Sequence, residues 1–76
     1  MAHGRIRKRS LTIRGHRTSV SLEDEFWSAF REIASTEGLS TNELAARVDA
    51  QRDISANLAS SIRVFVLERV RQAREI

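Results

Sequence analysis

The chain has no cysteine, no proline and no tyrosine, and only three glycines and two histidines among its 76 residues. Without cysteine there can be no disulfide, no thiolate zinc site and no nucleophilic-thiol chemistry. The histidines, His3 and His16, stand thirteen positions apart with no carboxylate near them, which is not a metal-ligand spacing. Long apolar runs are missing too. The longest, Val64-Phe65-Val66-Leu67, falls far short of the roughly 20 residues a membrane span needs, and the basic N-terminus lacks the apolar stretch of a signal peptide. There is no nucleophile–base pair, no phosphate-cradling glycine loop and no metal cluster, so neither catalysis nor a cofactor is expected.

What is present points to one small soluble domain. Hydrophobic residues make up 41% of the chain and charged residues 30%, a composition that argues against both a disordered chain and a membrane protein. A domain this short buries only roughly 60–65% of its unfolded surface. With disulfides and metal closed off, association between copies is the expected remedy. The sequence is therefore expected to be that of a cytoplasmic protein working as a dimer or a larger assembly.

Charge is segregated. Residues 1–17 carry Arg5, Arg7, Lys8, Arg9, Arg14 and Arg17 and no acid, whereas the rest of the chain holds ten acids against seven basic residues. A cationic segment of this kind is either a solvated tail or an electrostatic footprint for nucleic acid, where each neutralised phosphate releases a counterion. Twelve of the thirteen basic residues are arginine, whose planar fork suits bidentate contact with phosphates and bases.

From Glu23 onward the apolar period is helical. Phe26, Trp27, Phe30, Ile33 and Ala34 form one stripe, acids open the segment, and Thr36-Glu37-Gly38-Leu39 closes it with a glycine suited to the left-handed C′ position. A second helix follows at Ser40-Thr41-Asn42-Glu43, a capping box, with Leu44 and Val48 on its inner face and an end near Gln51. A third begins after Ser55 or Asn57, with Leu58, Ile62, Phe65, Val66 and Val70 as its stripe. The aromatic pair Trp27 and Phe30 shares the helical stripe and is read as core or interface packing.

Upstream the period is two. Thr18, Val20 and Leu22 alternate with Arg17, Ser19 and Ser21, and Leu11 and Ile13 alternate with Ser10, Thr12 and Arg14. The two runs differ in parity, so something near Gly15 must reset the register. A two-residue Gly15-His16 hairpin would do so, pairing Leu11 with Val20 and Ile13 with Thr18. A bulge at Gly15 would do so as well.

The alternating Arg17-Thr18-Ser19-Val20-Ser21-Leu22, the helix from Glu23 to Glu37 and the turn Gly38-Leu39-Ser40 before Asn42 resemble the ribbon-helix-helix family of DNA-binding proteins, of the Arc and MetJ type. The stretch from Lys8 to Ser19 also looks like the start of a small bacterial subgroup with that domain. The resemblance covers residues 17–51. The sixteen residues before Arg17 and the third helix depart from the family's usual pattern. On this reading the chain is mainly α, with a basic arm over residues 1–9, a ribbon-helix-helix domain over 10–54 and an additional C-terminal helix over 55–76. Its N-terminal strand or hairpin is expected to pair between chains.

The resemblance implies a homodimer whose two-stranded ribbon enters the major groove of double-stranded DNA. Carried over by position, Arg17, Ser19 and Ser21 would contact bases. Arg7, Lys8, Arg9, Arg14, Thr41 and Asn42 would contact phosphates. Val20, Leu22, Phe26, Phe30 and Leu44 would form the dimer interface, with the third helix completing the core or building a tetramer. The function expected is that of a transcriptional repressor associated with the nucleoid. An antitoxin with a toxin partner and a protein-interaction module with a basic arm are the alternatives.

Overall fold

The computed structural model describes residues 5–74; His3, the first four positions of the expected arm and the last two of the expected C-terminal segment lie outside them. The chain forms an antiparallel hairpin, β1 (Ile6–Ile13) and β2 (His16–Glu23), followed by α1 (Asp24–Thr36), α2 (Thr41–Gln51) and α3 (Leu58–Ala73).

The hairpin resolves the parity conflict with a register that differs from the one expected. The two-residue loop is Arg14-Gly15, not Gly15-His16, and Leu11 pairs with Thr18, Thr12 with Arg17 and Ile13 with His16. Both loop residues have positive φ, 49° at Arg14 and 80° at Gly15. This is the backbone of a type I′ turn, whose twist matches that of the flanking strands. The left-handed region disfavours a residue with a Cβ by about 1–2 kcal/mol. The Arg14 guanidinium is held there by Asp49 of α2, at 2.6 Å. The expected register would instead have set Arg14 directly against Arg17, a like-charge pair that weakens a ladder.

The strand also starts earlier than the sequence suggests. Residues 6–9, expected to belong to a basic arm, are the first half of β1. Arg7 and Arg9 occupy the same parity as Leu11 and Ile13, and charge at core-facing positions disguises the alternation. The Arg9 side chain is only 15% exposed. Its guanidinium donates to the Asp24 carboxylate and to the Leu22 carbonyl, and it lies 5.6 Å from the centre of the Trp27 ring.

The helices begin and end where their local chemistry dictates. After α1, Gly38 takes φ 72°. The Gly38 N–H donates to the Ser35 carbonyl and the Leu39 N–H to that of Ala34, which is the Schellman pattern. The Ser40 hydroxyl accepts from the Glu43 N–H at 3.0 Å while the Glu43 carboxylate accepts from the Ser40 N–H at 2.8 Å, completing the capping box. Of the two candidate caps for α3, Asn57 is the one used, accepting from the Ser60 N–H at 2.7 Å.

One core joins the elements. Leu11, Ile13, Val20 and Leu22 from the hairpin meet Phe30 and Ala34 of α1, Leu44, Ala45 and Val48 of α2, and Ile62 and Val66 of α3, all buried. Each large side chain so buried contributes about 1.5–3 kcal/mol relative to an exposed one. Phe65 packs edge-on against Phe30 with ring centres 5.9 Å apart. Val70, expected in the α3 core stripe, is instead half exposed, as are Val64 and Leu67.

The core closes within one chain. Val20, Leu22, Phe30 and Leu44, expected between two chains, are at most 4% exposed in a single chain, and Phe26 is half-buried against them. Within the chain these residues lie against β1 and α3.

Candidate nucleic-acid interface

The hairpin has two unlike faces. Arg9, Leu11, Ile13, Val20 and Leu22 face the helices. Lys8, Ser10 and Thr12 from β1 and Arg17, Ser19 and Ser21 from β2 take the opposite parity and are all exposed. The register sets them in three cross-strand pairs, Lys8 with Ser21, Ser10 with Ser19 and Thr12 with Arg17. These six positions hold two cations and four hydroxyls. The pair Ile6 with Glu23 continues the same parity at the open end of the hairpin, where the one acid, Glu23, is partly buried and bonded to Arg63. Neither Lys8 nor Arg17 forms an ion pair among the described residues.

A two-stranded ribbon is the right width for a B-DNA major groove, and these side chains can speak to base edges. Arginine can bridge guanine O6 and N7, and hydroxyls can donate or accept. Arg17, Ser19 and Ser21, the residues the sequence nominates for bases, all stand on this face. Ser10 and Thr12, not nominated from the sequence, stand beside them because β1 is the neighbouring strand of the hairpin.

The expected phosphate contacts divide. Lys8 belongs to the outer face itself. Arg7 is half-exposed at the open end of the hairpin, with its Nε 3.6 Å from Asp24. Arg14 stands at the tip, largely exposed but bonded to Asp49. Arg9 points to the helices and is enclosed there, so it is not brought to the outer face. Thr41 and Asn42 open α2, whose first turn carries backbone N–H groups without intrahelical partners.

Both edges of the ribbon are fastened by side chains. On the β1 edge the Asn42 Oδ1 accepts from the Thr12 N–H at 3.1 Å, which brings the start of α2 alongside the ribbon. On the β2 edge Arg63 of α3 reaches the Ser21 carbonyl at 3.5 Å and the Glu23 carboxylate at 3.0 Å. Strand edges left bare recruit other strands, and such side chains blunt them.

The carboxylates that anchor these cations are tuned accordingly. The Arg9 guanidinium bonded to Asp24, helped by the charges of Arg7 and Arg5, holds the Asp24 carboxyl below its ordinary value. Asp49 is lowered in the same way, first by its bond from Arg52 and then by that from Arg14. Among the described residues no group of three or more histidine, cysteine or acidic side chains is placed to hold a metal ion, and no helix is long and apolar enough to cross a membrane.

A family model described as a ribbon-helix-helix domain matches residues 6–70. The chain belongs to this family of DNA-binding regulators, whose members typically bind DNA as dimers and are generally not enzymes. The match takes in β1 and most of α3, so residues 6–16 and the third helix as far as residue 70 lie within the family's pattern. Among solved structures, an uncharacterized protein from Bordetella pertussis Tohama I is similar at a TM-score of 0.78 and 35% identity, over 96% of this chain and 62% of that one. The chain thus spans less than two thirds of that neighbour. A comparison with curated proteins found no match.

Proposed function

We propose that the outer face of the hairpin binds double-stranded DNA sequence-specifically, and that the protein is a nucleoid-associated, cytoplasmic transcriptional repressor acting as a homodimer. The observation that carries this reading is the outer face itself: six exposed cationic or hydroxyl side chains on a two-stranded ribbon, with the one acid of that parity, Glu23, neutralised by Arg63. Arg17, Ser19 and Ser21, joined by Ser10 and Thr12, are the proposed base contacts. Lys8, Arg7, Arg14 and the first turn of α2 at Thr41 and Asn42 are the proposed phosphate contacts. Arg9 has a structural task instead. For contact between copies, the half-exposed Val64, Leu67 and Val70 of α3 offer apolar area.

A repressor is favoured over an antitoxin by the state of α3. A toxin-binding segment is often disordered until bound, whereas α3 sinks Ile62 and Val66 into the core. The test is selection of bound fragments from a random duplex pool, followed by titration with non-specific competitor. Recovery of a common motif, bound at least 10³-fold more tightly than scrambled DNA, is expected. Equal affinity for motif and scrambled duplex would overturn the reading.

A further inference from the structure

The two strands of the hairpin are near-copies of one another. Advancing nine positions takes Lys8 to Arg17, Ser10 to Ser19, Leu11 to Val20, Thr12 to Ser21 and Ile13 to Leu22. Over residues 8–13 cation maps to cation, hydroxyl to hydroxyl and aliphatic to aliphatic, with Arg9 against Thr18 as the one break in that span. The register turns this sequence repeat into spatial symmetry. Ser10 stands opposite Ser19, Lys8 opposite Ser21 and Thr12 opposite Arg17. An approximate two-fold axis through the Ser10–Ser19 pair, perpendicular to the ribbon, therefore exchanges β1 with β2 and each residue with its counterpart nine positions on.

From this symmetry we infer that a single chain carries a complete reading ribbon, which recognises one near-palindromic DNA element whose two halves it tells apart. The inference rests on the proposed DNA binding and specifies the ligand of that site. Where identical strands from two chains form a ribbon, both halves of the contacted element are read by the same side chains. Here one half meets Lys8 and Ser21, and the other meets Arg17 and Thr12. The six positions span four residue steps along each strand, about 13 Å at about 3.3 Å per residue, which is about four base pairs. The central Ser10 and Ser19 are identical and treat both halves alike. Discrimination comes from the ends. Arginine grips guanine through a two-pronged fork, where lysine offers a point charge. Thr12 brings a methyl group that can rest on a thymine methyl, and Ser21 has none.

The fastened edges fit this assignment. Asn42 occupies the β1 edge at Thr12, and Arg63 occupies the β2 edge at Ser21. At these two points the places where a partner strand would bond are already filled from within the chain.

The experiment is motif selection from random duplexes with the wild-type chain, with Lys8→Ala, with Arg17→Ala and with the symmetrising pair Lys8→Arg/Thr12→Ser. The substituted side chains are exposed, and circular dichroism reports whether the fold is kept. Each single variant is expected to relax base preference in one half of the element only, Lys8→Ala in one and Arg17→Ala in the other. The symmetrising pair should raise affinity for a true palindrome relative to the wild-type element by about 5-fold or more. If Arg17→Ala relaxed both halves together while changes in β1 left base preference untouched, the ribbon would be built from two chains and the inference would fall, with sequence-specific binding still standing. If the wild-type chain yielded no motif, the proposed function would fall as well.

Discussion

The Asn42 side chain accepts a hydrogen bond from the Thr12 backbone N–H, 3.1 Å away, and so ties the first turn of α2 to the open edge of β1. A residue nominated from sequence as a phosphate contact thereby also sets the distance between a helix start and the ribbon. Replacing Asn42 by alanine should cost about 0.5–1.5 kcal/mol of stability, the net worth of one such bond. Amide exchange at Thr12 should accelerate more than at residues facing β2. Unchanged exchange at Thr12 would mean that the bond does not persist in solution.

Arg9 is expected to behave as a core-edge residue rather than a DNA contact. Its guanidinium bonds Asp24 and the Leu22 carbonyl and stacks near Trp27. Arg9→Ala should destabilise the fold by about 1–2 kcal/mol through loss of the partly desolvated cation–π contact. Arg9→Lys should recover only part of this, because an ammonium cannot span both acceptors. Urea unfolding measures the first effect. DNA titration across salt separates the alternative role, since a lost phosphate contact lowers the slope of log K against log salt by about 0.9, whereas Arg9→Ala should leave that slope unchanged.

Acid should weaken the fold. Asp24 is held below its ordinary value chiefly by Arg9, and Asp49 by Arg52 and Arg14. A carboxyl with a folded pKa below its unfolded one contributes its full stabilisation above the unfolded value, about 3.9. It loses that contribution as pH falls from there through the folded value. Chemical denaturation at a series of pH values should therefore show stability dropping below about pH 4. In Asp24→Asn the drop should be shallower, because one of the groups that takes up a proton on unfolding is gone. An equal drop in the variant would show that Asp24 is not among the groups responsible.

The third helix is expected to be integral to the fold. Ile62 is completely buried and meets the same core as Leu22 and Phe30. Ile62→Ala should cost about 2–5 kcal/mol, combining lost transfer energy with the cavity left behind. A loss below 1 kcal/mol in thermal or urea unfolding would place α3 outside the cooperative core.

How far the sequence could be read depended on whether each signal was local. Gly38 after α1 and the Ser40–Glu43 box before α2 are signals spanning a few residues, and both helices lie where those residues place them. The first half of β1 was hidden because Arg7 and Arg9 occupy inward positions, and their charge is compensated by Asp24, fifteen or more residues away. The hairpin register was missed because glycine was given the first loop position, whereas Arg14 takes a left-handed backbone there and is anchored by Asp49. Once Leu11 is set against Thr18, the nine-residue repeat between Lys8-Arg9-Ser10-Leu11-Thr12 and Arg17-Thr18-Ser19-Val20-Ser21 becomes visible in the sequence alone. Outer-face membership of Arg17, Ser19 and Ser21 was legible from the period of two, which does not depend on the partner strand.

The central claim, that the outward face of the hairpin reads DNA, is tested most directly by fluorescence anisotropy of the wild-type chain and Arg17→Ala on a selected duplex and on its scrambled counterpart. Loss of a bidentate base contact should weaken binding to the selected duplex by about 1–3 kcal/mol, with a much smaller effect on the scrambled duplex, where phosphate contacts dominate. If Arg17→Ala bound the selected duplex as tightly as the wild type, or weakened both duplexes equally, the outer face would not be the surface that reads sequence.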